Sequence, residues 1–338
     1  MEMAGRPSAA AKTAALALQQ LLLLACVVGT VTTTSGATPV IDAHVHMVSE
    51  SNGLDYLWAT PPQKLSPPRA CPCAPPCMCN WTQSEYSAAS ASLKPSHVIF
   101  CEVDVNTTQW LREAKWAQRY AATLLSSGGP QIGAILAQPP PGFGTQPVGT
   151  YTKQLDELQQ LPLVRGLRPQ IPTAMNSSFV EAMQEAGRRG LVIDVNHGYK
   201  APAAQRETEA GDANGVLVAI VAAAPNTTFV IEHLWGAPGI GAAAPEAAVV
   251  GWKAGLKALA LHPNIRCLQI GGVMAGWGHT VPYTVNKTVV IDRIHAGIEA
   301  FGYDRVCFGA RPKRLAVCLL RLHLSRRHSE IRSALRWG

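Results

Sequence analysis

The 338-residue sequence has no apolar run long enough to cross a bilayer, which takes about 20 residues. The run LLLLACVVGTV, Leu21–Val31, is too short for that and fits the core of a secretory signal. Arg6 and Lys12 precede it and small polar residues follow to Ala37, so residues 1–37 are read as a leader that is removed. An uncleaved anchor is the alternative, because Ala14 to Leu18 lengthens the apolar stretch. Charge is scarce as well, at 15% against 47% hydrophobic residues, which argues against disorder and for a globular chain. No glycine fingerprint of a dinucleotide-binding open sheet is present.

Positive charge is confined to one end. The net charge of +7 is carried by Arg311, Lys313, Arg314, Arg321 and four later arginines, against Glu330 alone. The body before them is near neutral, which removes nucleic acid as an expected partner of the main domain. Membrane contact is expected only through this basic tail or an uncleaved leader.

Five of the nine asparagines, Asn80, Asn106, Asn176, Asn226 and Asn286, open N-x-S/T triplets without proline. With the leader this predicts a secreted or endomembrane-lumenal glycoprotein. Loss of the leader takes Cys26 with it and leaves eight cysteines, an even number suited to an oxidising compartment.

Short apolar runs then alternate with helical patterns. Strands are predicted over 39–46, 97–105, 131–138, 163–169, 191–196, 229–234, 266–272 and 304–309. Between them, SSFVEAMQEAGRRG reads as a helix with a capping box of Ser178 and Glu181, inward Val180 and Met183, and a stop at Gly190. Another helix is predicted from Lys287 to Phe301, with Ile291, Ile294 and Ile298 on one side. Eight strands interleaved with helices predict a (β/α)8 TIM barrel over 38–310, its last β/α unit incomplete or aberrant. A Cys/Pro-rich insertion at 58–96 holds Cys71, Cys73, Cys77 and Cys79, whose spacing matches no common zinc pattern and is read as disulfide-stapled.

In VIDAHVHM the alternation of a strand puts Asp42, His44 and His46 on one face. Such a pair of histidines can hold one ion or one substrate oxygen between them; hydrogen-bonded core residues are the plainer alternative. The C-terminal ends of the strands, where a barrel builds its site, also offer Arg165, Arg168, His197 and His233. His279 and Trp277, in the loop after the seventh strand, are candidate lining residues.

The ordered set DAHVH, LVRGLR, FVIEHLWG and FGYDRVCFG resembles the amidohydrolase superfamily. The stretches VIFCEVDVNTTQWLREAKWAQRYA and LALHPNIRCLQIGGV look like its amidohydrolase-related branch, which includes 2-pyrone-4,6-dicarboxylate lactonase and sugar-acid lactonases. The resemblance spans 39 to 309. It implies a hydrolase acting on a lactone or other cyclic ester or amide carbonyl through activated water. His233 is then catalytic, with Arg168 beside it, and His44, His46 and His197 are ligands of a divalent metal, zinc being the ion three imidazoles suit. Lactonases of this branch also work without metal. Arg165 or Arg168 would grip a carboxylated small-molecule substrate in a fork, a structural ion pair being the alternative for either.

One element of the resemblance is missing. Relatives carry an aspartate or asparagine closing the eighth strand, whereas this chain continues from DRVCFG into ARPKRLAVCLLRL, and Asp304 begins its strand. The tail 311–338 reads either as a basic amphipathic helix, through Leu315, Cys318, Leu319 and Leu322, or as the product of a frame or exon-boundary error. The second is favoured because the similarity stops inside a strand. The alternative to a hydrolase is accordingly a catalytically impaired barrel acting as a secreted, glycosylated binding or structural protein.

Overall fold

The computed structural model describes residues 39–56, 81–125, 128–196, 215–240, 243–271 and 286–309. The leader, Asn80, the four clustered cysteines, His197, Trp277, His279 and the 311–338 tail lie outside the described residues.

All eight expected strands form: β1 Ile41–Val45, β2 His97–Cys101, β3 Gln131–Ala137, β4 Val164–Leu167, β5 Val192–Val195, β6 Phe229–Ile231, β7 Ile265–Gln269 and β8 Val306–Cys307. They pair in parallel in chain order. The Ala43 amide donates to the Phe308 carbonyl at 3.0 Å, which brings β8 back to β1 and makes the sheet a barrel. Helices alternate with the strands: α1 Gln83–Ala89, α2 Trp110–Leu124, α3 Thr152–Gln159, α4 Ser177–Arg188, α5 over 215–223, α6 Glu246–Ala260 and α7 Lys287–Phe301. The architecture is therefore the (β/α)8 TIM barrel. The last unit is short, with a β8 of two residues.

Sequence periodicity explains the helix layer. In α2, Trp110, Ala114, Ala117, Ala121 and Leu124 recur at helical spacing and are buried. Leu155, Met183, Trp252 and Val290 bring the other helices onto the sheet, each burial stabilising by about 1.5–3 kcal/mol. One helix detail differs from expectation. The cap of α4 is Asn176, whose side chain accepts from the Ser178 amide at 2.9 Å, while the capping box forms instead at Thr82 and Glu85 of α1. The inward face of α7 is Val290, Arg293, Gly297 and Phe301, leaving Ile291, Ile294 and Ile298 half-buried on its flanks.

Cys267 and Cys307 form a disulfide between β7 and β8, with Cα atoms 5.8 Å apart. It closes a separation of 40 residues. Such a link contributes about 2–4 kcal/mol, and here it secures the shortest strand of the barrel.

Glu113 of α2 is a fully buried acid whose Oε1 accepts from the Val103 amide at 3.0 Å. Burial, and then the charge of Glu102, push its carboxyl well above the usual carboxylate range. The folded chain thus holds a proton that the unfolded chain releases near pH 4, so stability falls as pH rises from there through the folded-state value. Glu113→Gln keeps the acceptor and removes this dependence. Thermal unfolding should show it more stable than wild type at pH 8 by a few degrees, with no gain at pH 4; a difference independent of pH would contradict the assignment.

Candidate active site

The C-terminal ends of the strands converge on a cluster of imidazoles and carboxylates. His44 is fully buried on β1, and His46 follows the strand end. Their rings meet edge to face with centroids 4.6 Å apart, and the His233 ring lies 4.8 Å from that of His44. Residues 44, 46 and 233, nearly two hundred positions apart in sequence, thus share one mouth. Asp42 turns away to a supporting role: its carboxylate accepts from the His44 amide at 3.1 Å and the Tyr86 hydroxyl at 2.7 Å.

The two arginines separate. Arg165 lies on β4 and Arg168 directly follows that strand, an odd number of positions on, so they face opposite sides. Arg165, the second residue of β4, donates to the Val164 carbonyl at 3.0 Å and does not reach the cluster. Arg168 does reach it, but its fork is filled. Nε and Nη2 hold both oxygens of Glu232 at 2.5 and 2.8 Å, and Nη1 holds Glu102 at 2.5 Å. A guanidinium whose three nitrogens are all engaged by protein carboxylates, and which is 5% exposed, is not open to a substrate carboxylate.

Glu232 is the residue that strand alternation misplaced. Alternation puts it on the opposite face from His233, yet its Oε1 lies 3.3 Å from His44 Nδ1 and its Oε2 3.5 Å from His233 Nε2. The reason is that β6 ends at Ile231, and His233, Leu234 and Trp235 all take left-handed backbone angles, with φ of 51°, 51° and 49°. Each non-glycine residue so placed costs roughly 1–2 kcal/mol, so this turn is held by its surroundings. Asp194 of β5 points across the barrel with Oδ2 4.0 Å from His44 Nδ1 and 3.9 Å from the Cys101 thiol.

Electrostatics in this dry centre are lopsided. Burial, then the neighbouring charge of Glu232, holds Asp194 in its neutral form well above the usual range. Burial alone would raise Glu232 too, but the Arg168 guanidinium and His233 outweigh it and keep Glu232 low, hence ionised. One proton is thereby retained by Asp194 next to an ionised Glu232. Burial likewise pushes the Cys101 thiol up, keeping it protonated.

The imidazoles show a related shortage of positive charge. His46 Nδ1 lies 3.2 Å from the Cys101 carbonyl, which can only accept, so Nδ1 carries hydrogen and Nε2 a lone pair. That lone pair faces His44 Nε2 at 3.0 Å. A neutral His44 then fails on one side: hydrogen on Nε2 leaves a lone pair against Glu232, and hydrogen on Nδ1 opposes two lone pairs. One positive charge resolves the conflict, as an added proton on His44 or as a cation between the two Nε2 atoms. The donor set fits a divalent ion on this ground, with His44 and His46 as ligands and Glu232 behind His44 as the orienting carboxylate. His44 also shares ligand-atom clusters of within 4.8 Å with Glu232 and His233, and with Cys101 and Asp194.

Among the described residues the eighth strand brings no carboxylate to the centre, as the sequence implied. Asp304 is exposed in the turn before β8, and two residues after that strand comes Gly309, where a Cβ would run into Gln269 and the His44 Cβ at 2.8 Å. Glycine is required there by the approach of β1. The carboxylates of the centre come from β5 and β6 instead.

No protein-family model matches the sequence, and no curated protein matches it. Solved structures do. The chain is similar to an amidohydrolase from Burkholderia multivorans, in one crystal form with bound HEPES (15% identity, 89% of this chain and 96% of that one, TM-score 0.62). In a second form, with bound zinc, the TM-score is 0.60 at the same identity and coverage. It is also similar to a Pseudomonas putida protein provisionally designated 2-pyrone-4,6-dicarboxylic acid hydrolase (15% identity, 88% and 94% coverage, TM-score 0.56). The barrel is thus the fold of these amidohydrolase structures along nearly its whole length.

Proposed function

We propose that the protein is a hydrolase of small cyclic esters, adding water across a lactone carbonyl to release a hydroxy acid. The observation that carries this reading is the meeting of His44, His46 and His233 at the strand ends, with centroids under 5 Å apart. The likeness to amidohydrolase barrels, one with zinc and one with HEPES in its structure, supports a metal-assisted hydrolase of small molecules.

His233 is the residue placed for proton transfer. Its Nδ1–H donates to the Gly271 carbonyl at 3.1 Å, so Nε2, which faces Glu232 Oε2, is the nitrogen that gains and loses a proton during the reaction. Nε2 takes the proton of the attacking water, and Glu232 Oε2, 3.5 Å away, stabilises the imidazolium that results. Arg168 holds Glu232 ionised and in place through its two-point contact, so its part is positioning rather than contact with substrate. His44 and His46, with His197 as the third ligand suggested by sequence, would hold the divalent ion. Such an ion supplies Lewis acidity at the carbonyl. Burial of the cluster excludes bulk water from the carboxylates. Zinc is the expected ion: metal analysis should find one per chain in wild type and a loss in His44→Ala and in His197→Ala, whereas equal, negligible metal in all three would end this part of the reading.

The disulfide between Cys267 and Cys307 and the exposed Asn176, Asn226 and Asn286 support a secretory, lumenal location. The second reading, a binding barrel that has lost catalysis, is favoured by one observation, that the residues following the eighth strand, Phe308 and Gly309, bring no carboxylate. Acid release by the full chain from a panel of γ- and δ-lactones and carboxylated pyrones separates the two. Release above the blank is expected; none, with panel members still binding, would favour the impaired barrel.

A further inference from the structure

Three successive non-glycine residues in the left-handed region, followed by Gly236 at φ 67°, give His233 its direction. Among the described residues, only Lys94 and Asp104 otherwise share that backbone state without being glycine. An extended backbone at 233 would turn the imidazole away from Glu232, as strand alternation requires. Something outside the turn therefore holds it. The indole Nε1 of Trp252, on α6, donates to the Leu234 carbonyl at 2.9 Å, with both residues fully buried. Arg293, on α7, lies 5.9 Å over the Trp252 ring, and its Nε donates to the Pro238 carbonyl at 2.9 Å. On the site side the His233 amide donates to Gln269 Oε1 at 3.2 Å.

We propose that Trp252 is a positioning residue for the reaction: its hydrogen bond to Leu234 holds the left-handed turn that aims His233 Nε2 at the reacting water. Trp252 acts only through the backbone of Leu234, with Arg293 bracing its ring from the neighbouring helix. The kinetic half of this inference rests on the reading of His233 as the proton acceptor; the structural half does not.

Trp252→Phe tests it, because an aromatic ring stays in the core while the indole N–H is lost together with part of the ring volume. The readout is the ring nitrogen spectrum of His233 in the full chain, identified by the signals missing from His233→Gln. Wild type should show a single tautomer with hydrogen on Nδ1, as the Gly271 carbonyl demands. In Trp252→Phe those signals should move toward the tautomer average while those of His97 and His295 stay. With a lactone that turns over, kcat should fall at least about tenfold, equivalent to about 1.4 kcal/mol, with KM within about twofold of wild type. Unchanged His233 signals would overturn the proposal. Altered signals with unchanged kcat would uphold the positioning and instead remove His233 from the chemistry. If Trp252→Phe does not fold, Arg293→Gln, which loosens the same clamp at Pro238, is read in the same way.

Discussion

Arg168→Met should be the most damaging single substitution in the barrel, lowering stability by about 3–5 kcal/mol and abolishing hydrolysis. Arg168 is the cation between Glu232 and Glu102, both buried, and it makes three charge-assisted hydrogen bonds to them. Methionine fills most of the volume but leaves the two acids without that partner. They then escape the cost of buried charge only by taking up protons, as burial already pushes Glu102 to do. A protonated Glu232 no longer stabilises the His233 imidazolium and no longer draws on His44. Denaturant unfolding and lactone turnover both read the variant. The companion change Arg168→Met with Glu232→Gln should recover part of the lost stability without recovering activity, because it removes the stranded charge and not the catalytic defect. Full stability in the single variant would show that the guanidinium is not what neutralises this centre.

His233→Ala should lower kcat/KM for lactones by about 10² to 10⁴-fold, the range a positioned acid–base group supplies. Stability should fall only modestly: the buried imidazole gives up its bond to the Gly271 carbonyl, while the backbone turn keeps its other ties, Trp252 at Leu234 and Gln269 at the His233 amide. The two effects are separable in one protein sample, by thermal unfolding and by acid release. Rates unchanged across the lactone panel would discard the role of His233.

The fold was largely legible in the sequence because its signals are local. Strands such as VIFC and FVI announce themselves by apolar runs bounded by turns, and all eight lie where the periodicity puts them, within a few residues. The helix from Lys287 to Phe301 was readable to the residue, since Asn286 caps it and Gly302 ends it with φ 72°. The errors arose where local rules meet non-local partners. Ile291, Ile294 and Ile298 share one side of their helix as read, but the inward face beside them also holds Arg293, drawn in by the Pro238 carbonyl, a partner 55 positions away. Ser178 was expected to open its helix, but Asn176 is the stronger cap two residues earlier.

The site divides in the same manner. His44 and His46 were legible because a strand of period two dictates a shared face. Glu232 was not, because alternation ends with β6 and a left-handed turn follows that no pattern of side chains reveals. The one available hint was Gly236 after H-L-W, a residue suited to left-handed angles. Arg168 was read either as a fork for substrate or as a structural ion pair, and the carboxylates of Glu102 and Glu232, which follow β2 and β6, fill that fork. The Cys267–Cys307 bond joins strands adjacent in space and 40 residues apart, and cysteine spacing alone does not fix such a pairing.

The central claim is that imidazoles from the first and sixth strands form one working unit. The most direct measurement is a double-substitution cycle on lactone hydrolysis with His44→Ala, His233→Ala and the pair together. Groups that serve one reacting carbonyl lose their effect jointly, so the pair should be about as slow as the worse single variant. A pair slowed by the full product of the two separate losses would mean that His44 and His233 act independently, and would contradict the account.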